Sequence, residues 1–417
     1  MNVAAAVEDV AACPDPDDEA LRILMVAACP LPARRGTPLR VERLAGALDA
    51  RGHHVELVTY HVVEDDAPLP VPVHRIFAAR RRRMEPGPHL DKLFFYDPIL
   101  AWKLRRLLAR APWDVLYAHH FEGLLAALAA RGRRRIPIVY DAHTMLSSEL
   151  PSYGPSALQP IVRRLGGWLD GAIPSLADHV VTVTTDIQSA LIERHGIAPE
   201  RITLIRNGVE TRHFASTTGG EGRDPFRLIY TGTLAPYQDI DLLLRVFARV
   251  HRLRPELRLH IAASTPFGPY EEQARSLGIR DAIEVVPDDF QTLPARLASA
   301  AMALLPRTKC DGIPQKLLNY MASGTPVVAS AGSAKVLEHE RTGLVVPDGD
   351  VEAFARAILR LLDAPDFARQ LGEAARAFVL ANCTWETAAE RAEQACRQVI
   401  QRTRQTEGEA AAKRVTS

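Results

Sequence analysis

The chain has 417 residues, 47% hydrophobic and 24% charged, with 51 Lys and Arg nearly balancing 50 Asp and Glu. That length suits two domains of about 150 to 200 residues, each able to bury its own core, and the composition is that of a globular protein rather than a disordered or fibrous one. No run of about eighteen apolar residues occurs, which excludes a membrane-spanning helix, and the five cysteines (Cys13, Cys29, Cys310, Cys383, Cys396) lack metal-site spacing and suit the reducing cytoplasm.

Residues 1–20 carry acids where a secretion signal would carry bases, and they read as a disordered acidic tail. Residues 22–28 are an apolar run of strand length, and residues 40–51 space Val41, Leu44, Ala45 and Leu48 as one helix face. Between them lies Pro-Ala-Arg-Arg-Gly-Thr-Pro, residues 32–38. Gly36 would let the backbone approach a ligand, and the next helix offers free amides to a phosphate, so Gly36 and Thr37 are expected to line a cleft. No G-x-G-x-x-G follows, which argues against a nicotinamide or flavin enzyme.

Further strands are expected at residues 55–60, 115–119, 136–140, 180–184 and 202–205, with helices between them. Residues 71–135 hold fourteen Lys and Arg against five acids, beside an aromatic, amphipathic stretch that includes Phe94, Phe95 and Trp102. Two readings stand: contact with an anionic membrane surface through residues 80–110, or a solvated Arg-rich helix face. No nucleic-acid module accompanies the charge, so nucleic acid is not an expected partner. His119 and His120 close one strand and His143 follows another, at strand ends where parallel sheets place ligand contacts. Two orientations stand open for His120: toward the cleft or, because neighbours on a strand alternate, away from it. Glu149 and Tyr153 follow in the next loop.

The pattern pauses in the Ser-, Gly- and Thr-rich residues 213–225, a linker by composition. It restarts with strands at 227–230, 259–262, 283–286, 302–305 and 327–329. The expected fold is α/β: two doubly wound, Rossmann-like domains facing across a cleft, at residues 21–210 and 211–384. A helix over 385–402 and a polar tail over 403–417 follow. In the second domain, Gly232 and Thr233 lie between a strand and a helix, an arrangement that suits phosphate, with Gln238 shortly after. Arg307, Lys309 and Lys316 lie close to the stretch 311–330, Asp-Gly-Ile-Pro-Gln-Lys-Leu-Leu-Asn-Tyr-Met-Ala-Ser-Gly-Thr-Pro-Val-Val-Ala-Ser.

That stretch resembles the donor-site signature of retaining glycosyltransferases of family 4, the group 1 glycosyltransferases with the GT-B fold, and the resemblance runs over residues 22–400. It implies a metal-independent hexosyltransferase with no cofactor, taking a nucleotide-diphospho-sugar donor and a glycan, lipid-linked or small-molecule acceptor. Such an enzyme is expected in the cytoplasm or at the inner face of the membrane, in cell-envelope or exopolysaccharide synthesis. By resemblance, His143 and Asp311 are the catalytic residues. Gly36, Thr37, Gly232, Thr233, Gln238, Arg307, Lys316 and Asn319 bind the donor, and His119, Glu149 and Tyr153 stand on the acceptor side. The family places Glu, seven residues and Glu where this chain has Asp311 and Asn319. It also places an Arg and a Lys where this chain has Thr233 and Gln238. Lys316, with Arg307 or Lys309, is the expected replacement for those cations, since a leaving diphosphate needs cationic stabilisation. The competing readings are a non-catalytic sugar-nucleotide-binding protein of the same fold and a sugar-nucleotide epimerase.

Overall fold

A computed structural model describes residues 19–33, 36–78, 92–150, 159–214 and 222–415. Among these, the first domain holds seven parallel strands: β1 (Arg22–Ala27), β2 (His54–Thr59), β3 (Val73–Arg75), β4 (Val115–His119), β5 (Ile138–Ala142), β6 (His179–Thr182) and β7 (Ile202–Leu204). Their spatial order is β3-β2-β1-β4-β5-β6-β7. The second domain holds six: β8 (Asp224–Thr231), β9 (Arg258–Ala263), β10 (Ile283–Pro287), β11 (Ala300–Leu305), β12 (Val327–Ser330) and β13 (Leu344–Val346), in the order β10-β9-β8-β11-β12-β13. Each sheet reverses its winding once, between β1 and β4 and between β8 and β11. Such reversals open a crevice outside the carboxyl ends of the strands.

The apolar runs form strands because helices cover both faces of each sheet, so no side of a central strand needs polar residues. In β4 every residue is buried. On one face of the first sheet, Leu24, Val26, Leu116 and Tyr140 pack with Leu100, Leu104, Leu124 and Ile173 from the helices. On the other, Ile23, Met25 and Val139 pack with Val41, Leu44, Trp385, Ala389 and Val399. Residues 385–400, which follow the second domain, therefore complete the core of the first.

Two chain crossings join the domains and lie side by side. The Val209 amide donates to the Cys383 carbonyl at 2.9 Å, and Val209 pairs with Thr384 as a parallel bridge. Gly208 is required there, because a Cβ would stand 2.5 Å from the Trp385 nitrogen.

Three local expectations change. The strands β3 and β13, three residues each, are added to those expected; no residue of β3 is fully buried, so it writes no apolar run. The last helix, Trp385–Val415, runs past residue 402, so the polar segment continues it rather than ending it. Its Glu, Ala and Lys residues are strong helix formers and supply no stop signal. The strand β8 begins at Asp224, inside the expected linker, whose residues 215–221 lie outside the described set.

Candidate active site

The first-domain half is built on β4 and β5. His119, the last residue of β4, and Asp141, on β5, are fully buried, and His143 lies just beyond the end of β5. His119 Nδ1 and His143 Nε2 are 3.2 Å apart and share a hydrogen bond. Asp141 lies near both rings, with one oxygen 3.5 Å from His119 Nδ1 and the other 4.0 Å from His143 Nδ1. Arg40, itself buried, grips Asp141 with two bonds, Nε to Oδ2 at 3.0 Å and Nη2 to Oδ1 at 3.2 Å. The same guanidinium donates to Asn207 Oδ1 at 3.0 Å and so ties the pair to the domain crossing.

Burial pushes the Asp141 carboxyl up, and the Arg40 guanidinium, which donates to both of its oxygens, opposes that push. Burial also holds His119 and His143 well below the usual histidine value, and the nearby Arg40 and His120 charges push the same way. Both rings are therefore neutral at physiological pH. Of the two orientations open to His120 the structure shows the inward one, with its ring 4.9 Å from that of His143. The strand ends at His119, and a left-handed backbone at His120 (φ 61°) turns the chain into the next helix.

The second-domain half is built on the ends of β8 and β11 and on the helix Gln315–Ala322. Gly232 adopts φ 104°, and a Cβ there would come within 2.9 Å of Lys316 Nζ. The Lys316 ammonium donates to the Tyr230 hydroxyl at 2.8 Å and to Gln238 Oε1 at 3.1 Å. It also sits 4.1 Å from the Tyr230 ring centre, a cation–π contact. Burial and the charge of Arg307 push this ammonium down to about 7. The Tyr230 hydroxyl in turn donates a hydrogen bond to the Thr233 carbonyl at 2.8 Å, and the Thr233 hydroxyl is enclosed without a partner among the described residues. Arg307 lies over the exposed ring of Tyr237 at 5.0 Å, and Lys309 is exposed. Asn319 is buried on the same helix, with no side-chain partner among the described residues.

The two halves meet across the cleft. The Asp311 carboxylate accepts from the Ser148 hydroxyl of the first domain, and Thr184 Oγ1 donates to the Asp311 carbonyl at 3.3 Å. A Cβ at Gly312 would lie 3.8 Å from the His143 carbonyl. Lys335 bridges to Asp186 of the first domain at 2.8 Å.

Most of the expected site residues thus converge on one cleft. Gly36 and Thr37 begin the first helix after β1, and a side chain at Gly36 would meet open space. Glu149 is described in its backbone alone, and Tyr153 and the basic run 80–83 lie outside the described residues. Sequence reasoning missed Arg40, Asp141 and Tyr320, whose hydroxyl accepts from the Thr231 amide at 2.9 Å. Nothing local marks a buried arginine in a helix of ordinary spacing. Asp65 and Asp66 line a separate cavity of about 330 Å³ beside β1 to β3, with Pro32, Val71 and Arg75.

Two family models match the chain: "Glycosyltransferase Family 4" over residues 35–213 and "Glycosyl transferases group 1" over residues 225–364. A D-inositol 3-phosphate glycosyltransferase of Thermomonospora curvata is 25% identical over 363 residues, 79% of this chain and 83% of that one. Among solved structures, a sucrose-phosphate synthase from Thermosynechococcus elongatus superposes with a TM-score of 0.74 at 22% identity, covering 90% of this chain and 98% of that one. HepE from Anabaena, solved with UDP-glucose, gives a TM-score of 0.65 at 17% identity, covering 90% of this chain and 99% of that one.

Proposed function

Because the chain belongs to the family 4, group 1 glycosyltransferases and has their GT-B fold, we propose that it moves a hexosyl unit from a nucleotide-diphospho-sugar to an acceptor hydroxyl with retention of configuration. The carrying observation is the position of Lys316: its ammonium reaches the Gly232 turn at the end of β8, in the loop that otherwise lacks cations. The donor diphosphate would lie there, against Lys316 and the nearby Arg307. The nucleotide would extend toward Asn319, and the sugar would lie between Asp311 and His143. HepE, a structural neighbour, binds UDP-glucose, which supports a donor of this class.

In the proposed step the bond between the anomeric carbon and the β-phosphate oxygen breaks. The acceptor oxygen bonds to that carbon on the same face, and its proton passes to the departing phosphate. Lys316 and Arg307 would take up the charge that develops on the diphosphate. His143, neutral and oriented by its bond to His119, would hydrogen-bond the sugar. These groups supply the charge compensation, so the reading is a metal-independent one.

The test begins with purified protein and a panel of UDP-, GDP- and ADP-sugars, followed by thermal stabilisation and by donor turnover. One nucleotide sugar should stabilise the protein and be hydrolysed or transferred, and the double variant His143→Ala/Asp311→Asn should lose turnover. Stabilisation without turnover would instead support a non-catalytic binding protein, and interconversion of the sugar without acceptor would support an epimerase.

A further inference from the structure

We propose that the outer face of the helix Gln159–Ser175 docks on an anionic lipid bilayer and so sets the cleft rim against a lipid-linked acceptor. The inference rests on the glycosyl transfer proposed above and names where its acceptor comes from. On this helix Ile161, Leu165 and Trp168 recur at helical spacing, yet they are 67%, 52% and 68% exposed. Burying such side chains is ordinarily worth far more than leaving them in water, so a solvent-facing stripe of this kind marks a contact surface. Arg164, exposed, flanks the stripe, while Arg163, also exposed, stands toward the other side of the helix.

A second patch lies on the same side of the sheet. The helix Asp97–Leu108 and the helix Gln159–Ser175 cover one face together, since Leu100, Leu104 and Ile173 belong to one core. Just before and on the first of these helices, Phe94, Phe95 and Trp102 are 66%, 65% and 55% exposed, with exposed Arg105 and Arg106 beside them. Aromatic rings mixed with arginines, and no exposed acid on the stripe of Gln159–Ser175, fit an anionic interface. A second copy of this chain fits less well, because a two-fold contact through this face would bring like charges together.

The opposite face of the helix holds the cleft. Gly166 lies so close to the segment after His143 that a Cβ would stand 2.7 Å from the Ser147 Cα. The buried Asp170 carboxylate accepts from the Leu146 amide at 2.5 Å and from the Ser147 amide at 3.1 Å. The next residue, Ser148, bonds Asp311. One rigid helix thus presents apolar rings outward and holds the acceptor-side rim inward.

Full-length protein is spun with vesicles of phosphatidylcholine alone or with added phosphatidylglycerol, at low and raised salt. The expected result is co-sedimentation with the anionic vesicles, weakened by salt. Leu165→Ser/Trp168→Ser should lower partition roughly tenfold or more, while Arg105→Gln/Arg106→Gln/Arg164→Gln should abolish the preference for anionic lipid. Donor turnover without vesicles should be unchanged in both variants. Should the serine variant fail to fold, the glutamine variant carries the test. Wild-type protein left in the supernatant, variants that partition like wild type, or a wild-type dimer dissolved by the serine substitutions would overturn the proposal. Vesicle binding by a protein that turns over no donor would leave the docking intact and sink the transfer reading instead.

Discussion

Ser148, in the first domain, donates its hydroxyl to the Asp311 carboxylate of the second. In the donor-free protein the carboxylate proposed to meet the sugar is therefore already engaged across the cleft, and a donor must take over that bond. A hydrogen bond to a charged group contributes about 1.5–3 kcal/mol. Asp311→Asn should accordingly lower kcat/KM by roughly tenfold or more. Ser148→Ala should stay within roughly threefold, since the freed carboxylate offsets the lost latch. Steady-state kinetics on the pair checks this; equal effects would remove Asp311 from the sugar site.

Lys316 should make donor binding depend on pH. Its ammonium is pushed down to about 7 by burial and by Arg307, so above that pH a diphosphate must bring a proton with it. Donor affinity is expected to fall as pH rises through about 7, and binding should take up protons in calorimetry across buffers of different ionisation enthalpy. Lys316→Arg should flatten the pH profile, because a guanidinium remains charged. The stability sign follows from the same shift. Between about 7 and the ordinary 10.5 the unfolded chain alone holds the proton, so folding stability rises with pH there. Lys316→Met should therefore raise Tm most below pH 7, with the advantage fading toward alkaline pH.

Asn319 is buried with its amide unclaimed, as a residue kept for a ligand would be. A neutral hydrogen bond to the ribose would be worth about 1 kcal/mol. Asn319→Ala should raise the donor KM about fivefold and leave kcat nearly unchanged. A large fall in kcat at constant KM would contradict the assignment.

The Arg40–Asp141 pair sets the stability of the first-domain half. Removing one partner of a buried, hydrogen-bonded pair costs about 3–5 kcal/mol, so Arg40→Met should lower the denaturation midpoint sharply. His119 and His143 add an acid sensitivity. Their folded-state values are depressed, so below their ordinary 6.5 the unfolded chain binds protons that the native state refuses, and stability falls with pH. Replacing both with Asn should reduce this slope in denaturation measured from neutral pH downward.

His119, Asp141 and His143 place three ligand atoms within 4.8 Å of one another, spacing that could hold a cation. Arg40 already engages both Asp141 oxygens, and the two rings spend a nitrogen each on one another. Chelators are therefore expected to leave turnover unchanged. Loss of transfer on chelation, restored by Mg²⁺ or Mn²⁺, would show that the trio binds metal after all.

The sequence made the architecture readable because buried parallel strands are written as continuous apolar runs. At β3, where no residue is fully buried, no apolar run marks the strand, and it was missed along with the short β13. Among site residues, those at strand ends were legible: His119, His143 and Gly232 stand where winding reversals and turns put them. Lys316 was legible by a different route, since the loop at Thr233 and Gln238 lacked cations and Lys316 stood close in the chain. Arg40 and Asp141 were not, because their partnership spans a hundred residues and neither breaks the pattern around it. The exposed stripe of Gln159–Ser175 was hidden for the opposite reason: its apolar spacing is that of an ordinary core helix, and only packing reveals that the core lies on its other side.

The shared core of Trp385, Ala389 and Val399 with β1 bears on how the protein is made. A ribosome delivers the first domain nearly two hundred residues before the segment that covers one of its faces. Until that segment emerges, Ile23, Val41 and Leu44 have no lid, and the second domain, whose sequence is unbroken, can finish first. Synthesis order and completion order are thus reversed, and a chain stalled ahead of Trp385 would carry a finished second domain beside an open, aggregation-prone first one.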